Sequence, residues 1–195
     1  MTVTSGETVE VETSVGVARV HLRRGGRPLL VLGHGAGGGI DAPDLQAATS
    51  AAANLGWSVA LVEQPWRVRG HRIAEAVKRL DAAWLDVLAT IDGTPLVTGG
   101  RSAGARVACR TAAQVGADAV LCLAFPLHPP GRPERSRLPE LEGVAVPVLV
   151  VQGSRDLFGV PPGAHVIEGA DHGLNSPGVE AAVRVFLSGL TQTLT

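Results

Sequence analysis

The chain has 195 residues, 45% of them apolar and 18% charged, with a formal net charge of −1 at pH 7. This length favours a single domain over 1–195, which buries roughly 70% of the surface of its unfolded chain and needs neither disulfide nor structural metal to stabilise it. The near-neutral balance gives no electrostatic ground for nucleic acid or an anionic membrane as partner, and no apolar run approaches the ~18 residues of a membrane span. Met1 to Glu12 has neither a basic segment nor an apolar core and does not read as a signal peptide. Cys109 and Cys122 both lie in apolar stretches and read as buried free thiols, which points to a reducing, cytoplasmic location. The basic residues are sixteen Arg against the single Lys78, and Arg suits carboxylate or phosphate contacts better than Lys does.

In chain order, Val3 to Val11 and Val15 to Leu22 alternate apolar and polar residues around Thr13-Ser14, the pattern of an antiparallel hairpin with one wet face. Leu29 to Leu32 is then a continuous apolar run, as are Val59 to Val62, Leu96-Val97, Ala119 to Phe125 and Val146 to Val151. Runs of this kind predict strands buried on both faces, the habit of parallel sheets. Helical patterns lie between them. One opens at Asp41-Ala-Pro43, with Asp41 as N-cap. A second carries Ile73, Val77, Leu80, Trp84, Leu88 and Ile91 on one stripe. A last one opens at Ser176-Pro177, with Val179, Val183, Phe186 and Leu190 sharing a face. Alternating strands and helices predict an α/β fold: a hairpin followed by six parallel strands, an eight-stranded sheet with helices on both faces.

After the first buried run comes Gly33-His-Gly-Ala-Gly-Gly-Gly39. Gly33-x-Gly35-x-x-Gly38 matches the dinucleotide-binding spacing, so a nicotinamide-dependent enzyme is one reading. That fingerprint needs a helix starting at the glycines, whereas Asp41 and Pro43 delay it. The other reading is a loop whose backbone stabilises an oxyanion, with Ala36 as donor and Gly35 beside it, and His34 bracing the loop. No P-loop pattern occurs.

After Leu96-Val97 comes Gly100-Arg101-Ser102-Ala103-Gly104, a G-x-S-x-G between strand and helix. A serine at the tip of so sharp a turn sits in strained backbone, and its neighbours two positions away must be small. The following helix points its N-terminus at the serine, making the Ala103 N–H an oxyanion donor. The partners of such a serine follow in the order acid, then histidine. Asp156 lies just beyond Val148–Val151, and His172 lies after the short strand His165–Ile167. In this triad His172 takes the Ser102 proton, and Asp156 holds its tautomer and stabilises its cation. Asp171 reads as a loop cap, and His128 is the rival base. Glu140, Glu142, Asp118 and His165 sit at the wrong sheet edge, while His21 and His71 read as solvated. The arginines of the active edge, Arg101 and Arg137 foremost with His128 beside them, are candidate contacts for an anionic substrate.

These residues resemble the α/β-hydrolase superfamily over nearly the whole chain, and most closely its small dienelactone-hydrolase-like branch. Within that branch the chain is similar to the subgroup around a testis-expressed protein and a subunit of an animal histone-acetyltransferase complex. The resemblance is carried by Gly33–Gly38, Gly99–Arg106, Phe125-Pro-Leu-His-Pro-Pro-Gly131, Val151–Phe158 and Asp171-His172. It implies a Ser102, Asp156, His172 triad without metal or cofactor. Dienelactone hydrolases carry cysteine as nucleophile, where this chain has Ser102. Only twenty residues separate Phe125 from Val146, leaving no room for a lid domain. The expected activity is hydrolysis of small, accessible esters or thioesters; a silent hydrolase fold serving as an interaction module is the alternative.

Overall fold

The structure, a computed structural model, describes residues 6–193, so Val3 to Ser5 of the expected hairpin lie outside the described residues. The hairpin is β1 (Glu7–Thr13) and β2 (Gly16–Arg23), paired antiparallel from Glu7↔Leu22 to Thr13↔Gly16. The apolar runs become β3 (Leu29–Gly33), β4 (Ser58–Glu63), β5 (Leu96–Arg101), β6 (Ala119–Leu123) and β7 (Val148–Gly153), followed by the short β8 (His165–Ile167). One eight-stranded sheet forms in the order β1-β2-β4-β3-β5-β6-β7-β8. β2 meets β4 antiparallel, and every pairing from β4 to β8 is parallel. The order reverses about β3, so the C-terminal ends of β3, β5, β6 and β7 open together along one edge, the usual place for chemistry in such sheets.

The helices are α1 (Pro43–Asn54), α2 (Pro65–Val68), α3 (Val77–Leu88), α4 (Ala103–Val115), α5 (Leu138–Glu142) and α6 (Pro177–Thr193). α1 and α6 share one core with Leu30, Leu32, Leu121 and Val151, while α3 packs Leu80, Trp84 and Val87 against Val31, Ala60 and Val62 on the other face. Helices on both faces explain why β3 and β6 are buried at every position. α6 buries Val179, Val183, Leu187 and Leu190, with Phe186 at its margin.

Two local expectations are corrected. The α1 N-cap is Ala42, not Asp41: Pro43 occupies the first helical turn and drives the preceding residue to extended backbone, φ −56° and ψ 135°. Ile73 is 83% exposed and lies before α3 rather than on its stripe. Glu75, bonded to both Arg69 and Arg79, lies just before the helix begins. Between β6 and β7 the only helix among the described residues is α5, so no lid covers the active edge.

Candidate active site

The turn from β5 into α4 places Ser102 at φ 52° and ψ −110°, a conformation that side chains rarely adopt. It is tolerated because the glycines around it allow close backbone approach. A Cβ on Gly100 would lie 2.5 Å from Gly33 O, and one on Gly104 would overlap the same oxygen. β3, β5 and α4 therefore meet at van der Waals distance only through glycines, and Ser102 is thrust out at the α4 N-terminus. The Ser102 N–H is bonded to Leu123 O at 2.9 Å, which fixes the turn to β6.

His172 Nε2 lies 3.1 Å from Ser102 Oγ, and His172 Nδ1 lies 2.8 Å from Asp156 Oδ2. With Nδ1–H donated to the carboxylate, Nε2 is free to accept the serine proton. Asp156 is held on every side. Its Oδ1 accepts the Phe158 N–H at 2.8 Å, and its Oδ2 also accepts Gln152 Nε2–H at 2.7 Å. The Gln152 amide additionally donates to Phe125 O at 3.2 Å and Gly159 O at 2.9 Å. The Phe158 ring lies 4.3 Å from that of His172 at a tilt of 35°, an apolar wall for the imidazole. Sequence reasoning assigned no role to Gln152 or Phe158; the available signal was a glutamine closing an otherwise apolar strand just before the acid.

The glycine loop of β3 reaches the same point. Gly35 is buried, its Cα facing Ser102 so closely that a Cβ would lie 3.3 Å from the serine Cβ, whereas Ala36 is exposed. His34 Nε2 accepts the Gln64 N–H at 3.0 Å, so its Nδ1 carries the proton and donates to Gly35 O at 2.9 Å. Burial pushes the His34 ring below its usual range. It is a neutral brace. α1 starts at Pro43, beyond the glycines, so the dinucleotide spacing forms no pyrophosphate cradle at a helix N-terminus.

The remaining histidines and acids separate cleanly. His128 Nδ1 bonds Pro129 O at 2.9 Å and its ring packs over Gly159, so the base in contact with Ser102 is His172. Asp171 caps its loop by accepting the Gly173 N–H at 2.9 Å. Asp118 accepts the Leu96 N–H at the start of β5, Glu140 pairs with Arg106 and Arg110, and His21 bonds Glu63. Arg101 is committed within the protein: its Nε lies 2.9 Å from Asp44 Oδ2 and its Nη2 donates to His172 O at 2.8 Å. Arg137 donates Nη1 to Pro126 O at 3.0 Å and has no carboxylate partner among the described residues. Cys109 and Cys122 are buried free thiols.

Among the described residues no three His, Cys, Asp or Glu side chains are grouped to hold a metal, and no helix is long and apolar enough to cross a membrane. A surface depression of about 1020 Å³ lies at the opposite sheet edge around Arg27, Asp92 and Asp118 and is lined by no histidine. It has no part in this chemistry.

Comparison with known proteins agrees with this fold. The lidless α/β serine hydrolase of Xanthomonas campestris superposes with a TM-score of 0.75 at 18% identity, over 98% of this chain and 96% of that one. Est1E of Butyrivibrio proteoclasticus gives 0.77 at 16% identity, covering 95% and 99% of the two chains. The dienelactone hydrolase of Anabaena variabilis gives 0.70 at 18% identity, covering 98% and 99%. At these identities the likeness establishes the fold. No curated protein matches the chain significantly by sequence. The family model described as an alpha/beta hydrolase domain matches residues 26–180, from the end of the hairpin through all six parallel strands into α6. With a serine elbow, an acid and a histidine joined in one chain of hydrogen bonds, this protein belongs to the α/β-hydrolase domain family and has the arrangement of a serine hydrolase.

Proposed function

We propose that the protein hydrolyses small, accessible carboxylic esters or thioesters through an acyl-enzyme on Ser102, with Asp156 and His172 completing the triad. The observation that carries this reading is the continuous hydrogen-bond path Ser102 Oγ–His172–Asp156, at 3.1 and 2.8 Å. His172 takes the Ser102 proton as Oγ attacks the acyl carbon, and the imidazolium so formed is stabilised by Asp156. The Ala103 N–H, with an N–H from Ala36 or Gly35, receives the developing oxyanion. His172 then protonates the leaving oxygen or sulfur, and the same steps with water as nucleophile release the acid. We further propose His128 and Arg137 as substrate contacts; Arg137, half-buried and without a carboxylate partner among the described residues, supports substrates that carry a carboxylate or phosphate.

The chain 1–195 reads as one such domain, supported by the single sheet that runs from β1 to β8. Within the superfamily the dienelactone-hydrolase-like branch, and the testis-expressed and acetyltransferase-complex subgroup, are supported by Pro126-Leu-His-Pro-Pro-Gly131. Est1E has been solved with ferulic acid bound, so an aromatic acyl ester joins the short aliphatic ones as a trial substrate. The two unpaired thiols support a cytoplasmic location.

A fluorophosphonate probe tests the reading. Wild type should be labelled at Ser102, Ser102→Ala should not be labelled, and His172→Ala should lose ester turnover down to the residue left by binding and the oxyanion donors. Absence of labelling on folded wild-type protein refutes hydrolysis and leaves an interaction module.

A further inference from the structure

We propose that Asp44 and Arg101 form a positioning pair that holds the main chain of His172 in reach of Ser102, an inference that rests on the hydrolase reading above. Arg101 ends β5 and is bonded covalently to the nucleophile, so its backbone is fixed by the sheet. Its guanidinium spans two other elements. Nε lies 2.9 Å from Asp44 Oδ2 in the first turn of α1, and Nη2 donates to His172 O at 2.8 Å. Among the described residues this is the one hydrogen bond made by the His172 main chain, whose loop is otherwise tied at Asp171 and Leu174. The Nε–Oδ2 contact is an ion pair without hydrogen-bond alignment, while Nη2 supplies the directed bond to the carbonyl; a planar guanidinium presents both from fixed positions, which an ammonium cannot do with the same rigidity.

Asp44 is fully buried, and its Oδ1 accepts the Leu45 N–H at 2.9 Å. Burying a carboxylate and a guanidinium together contributes little net stability compared with apolar residues of similar volume. The fold even works against this ion: burial pushes the Asp44 carboxyl up to about 6 despite the pull of Arg101. Such a pair makes sense as an orienting device. It connects the nucleophile's own strand, the α1 N-terminus and the histidine loop, three elements separated in the chain. Among the described residues Arg101 has no hydrogen bond or ion pair to Ser102 Oγ or to the imidazole and so acts through the placement of His172. A displacement of the order of 1 Å in such a group is enough to slow catalysis by about 10²-fold.

The test compares wild type with Asp44→Asn/Arg101→Gln and with Arg101→Lys, all in the full chain. The double variant removes both charges, so no buried ion is left alone; Arg101→Lys keeps a charge opposite Asp44 and loses the fork. The readouts are kcat and KM for a short acyl ester, the fluorophosphonate labelling rate, and the melting temperature. We expect both variants to fold, with kcat and labelling down by about ten- to a hundredfold and KM unchanged. The slowing should persist in whichever variant melts closest to wild type. Labelling and kcat within twofold of wild type in either folded variant overturn the positioning role, as does a rate that recovers in step with melting temperature. If wild type itself is not labelled, the hydrolase reading has failed; if wild type is labelled and the variants are not slowed, only the positioning role has.

Discussion

Replacing Asp156 by asparagine isolates the contribution of the carboxylate, because every neighbour of that side chain is pinned. Oδ1 accepts the Phe158 N–H, and Oδ2 accepts both His172 Nδ1–H and Gln152 Nε2–H. An asparagine cannot satisfy this set in either orientation. With its oxygen toward His172, its NH₂ confronts the Phe158 N–H. With its NH₂ toward His172, it confronts the Gln152 amide, and the imidazole must turn a lone pair on Nδ1 toward it. The ring proton then moves to Nε2, and the Ser102 hydroxyl loses its acceptor. Gln152 cannot relieve the conflict by flipping, because an oxygen would then face the Phe125 and Gly159 carbonyls. Either orientation leaves a buried donor unpaired, at a cost of about 1–3 kcal/mol in stability. In both, the imidazolium loses its anion. The acid's charge is lost in both orientations and the correct tautomer in the second; for a serine triad this replacement lowers kcat by about 10⁴, equivalent to about 5 kcal/mol of transition-state stabilisation. The expected result for Asp156→Asn is therefore a folded protein with kcat reduced by about 10⁴ and a melting temperature lowered by a few degrees. Steady-state hydrolysis of p-nitrophenyl acetate, with a thermal melt alongside, measures both. A folded variant retaining more than a tenth of wild-type kcat would refute this account of the acid.

Gly104→Ala places a Cβ against Gly33 O, 2.6 Å from Gly33 C and 2.9 Å from His34 O, all backbone of a central strand and its loop. It should cost about 3 kcal/mol or more, or prevent folding, and a calorimetric melt that matched wild type would contradict it. Asp44 imposes a pH dependence on stability. Its carboxyl sits at about 6 in the folded state against about 3.9 unfolded, so the folded state binds more protons between these values. Stability should fall by about 3 kcal/mol as pH rises from about 4 to about 6 and level off above that. Asp44→Asn should remove this component, and urea melts across the range that showed the same slope in both proteins would exclude it. If Arg137 receives an anionic substrate, kcat/KM should be higher for a carboxylate-bearing ester than for a neutral one of equal acyl length. Salt should erode the preference, and Arg137→Gln should abolish it; equal rates for the two esters in wild type would sink it.

The parts of this molecule that could be read before folding are those whose cause is local. Buried parallel strands announce themselves as unbroken apolar runs, and the elbow glycines cluster within five residues because a single sharp turn requires them all. The order serine, acid, histidine followed from which strand each residue succeeds, and the structure brings Ser102, Asp156 and His172 together as that order requires. What escaped depends on distant partners. The partner of Arg101 was not legible, because that carboxylate, Asp44, lies on a helix far earlier in the chain. Asp41 looked like the cap because it precedes Pro43, while the acid that matters lies one residue inside the helix and faces the elbow. Ile73 fits the α3 periodicity, but Glu75 is claimed by two arginines and the helix starts only after it. Gln152 reads as one polar residue in an apolar strand; only the fold shows three acceptors converging on its amide.

The short passage from β6 to β7, interrupted only by the five residues of α5, also bears on how the reaction cycle is timed. With no helix beyond α5 in this passage, substrate entry and product departure involve no lid to swing aside. The same openness lets bulk water reach the acylated serine.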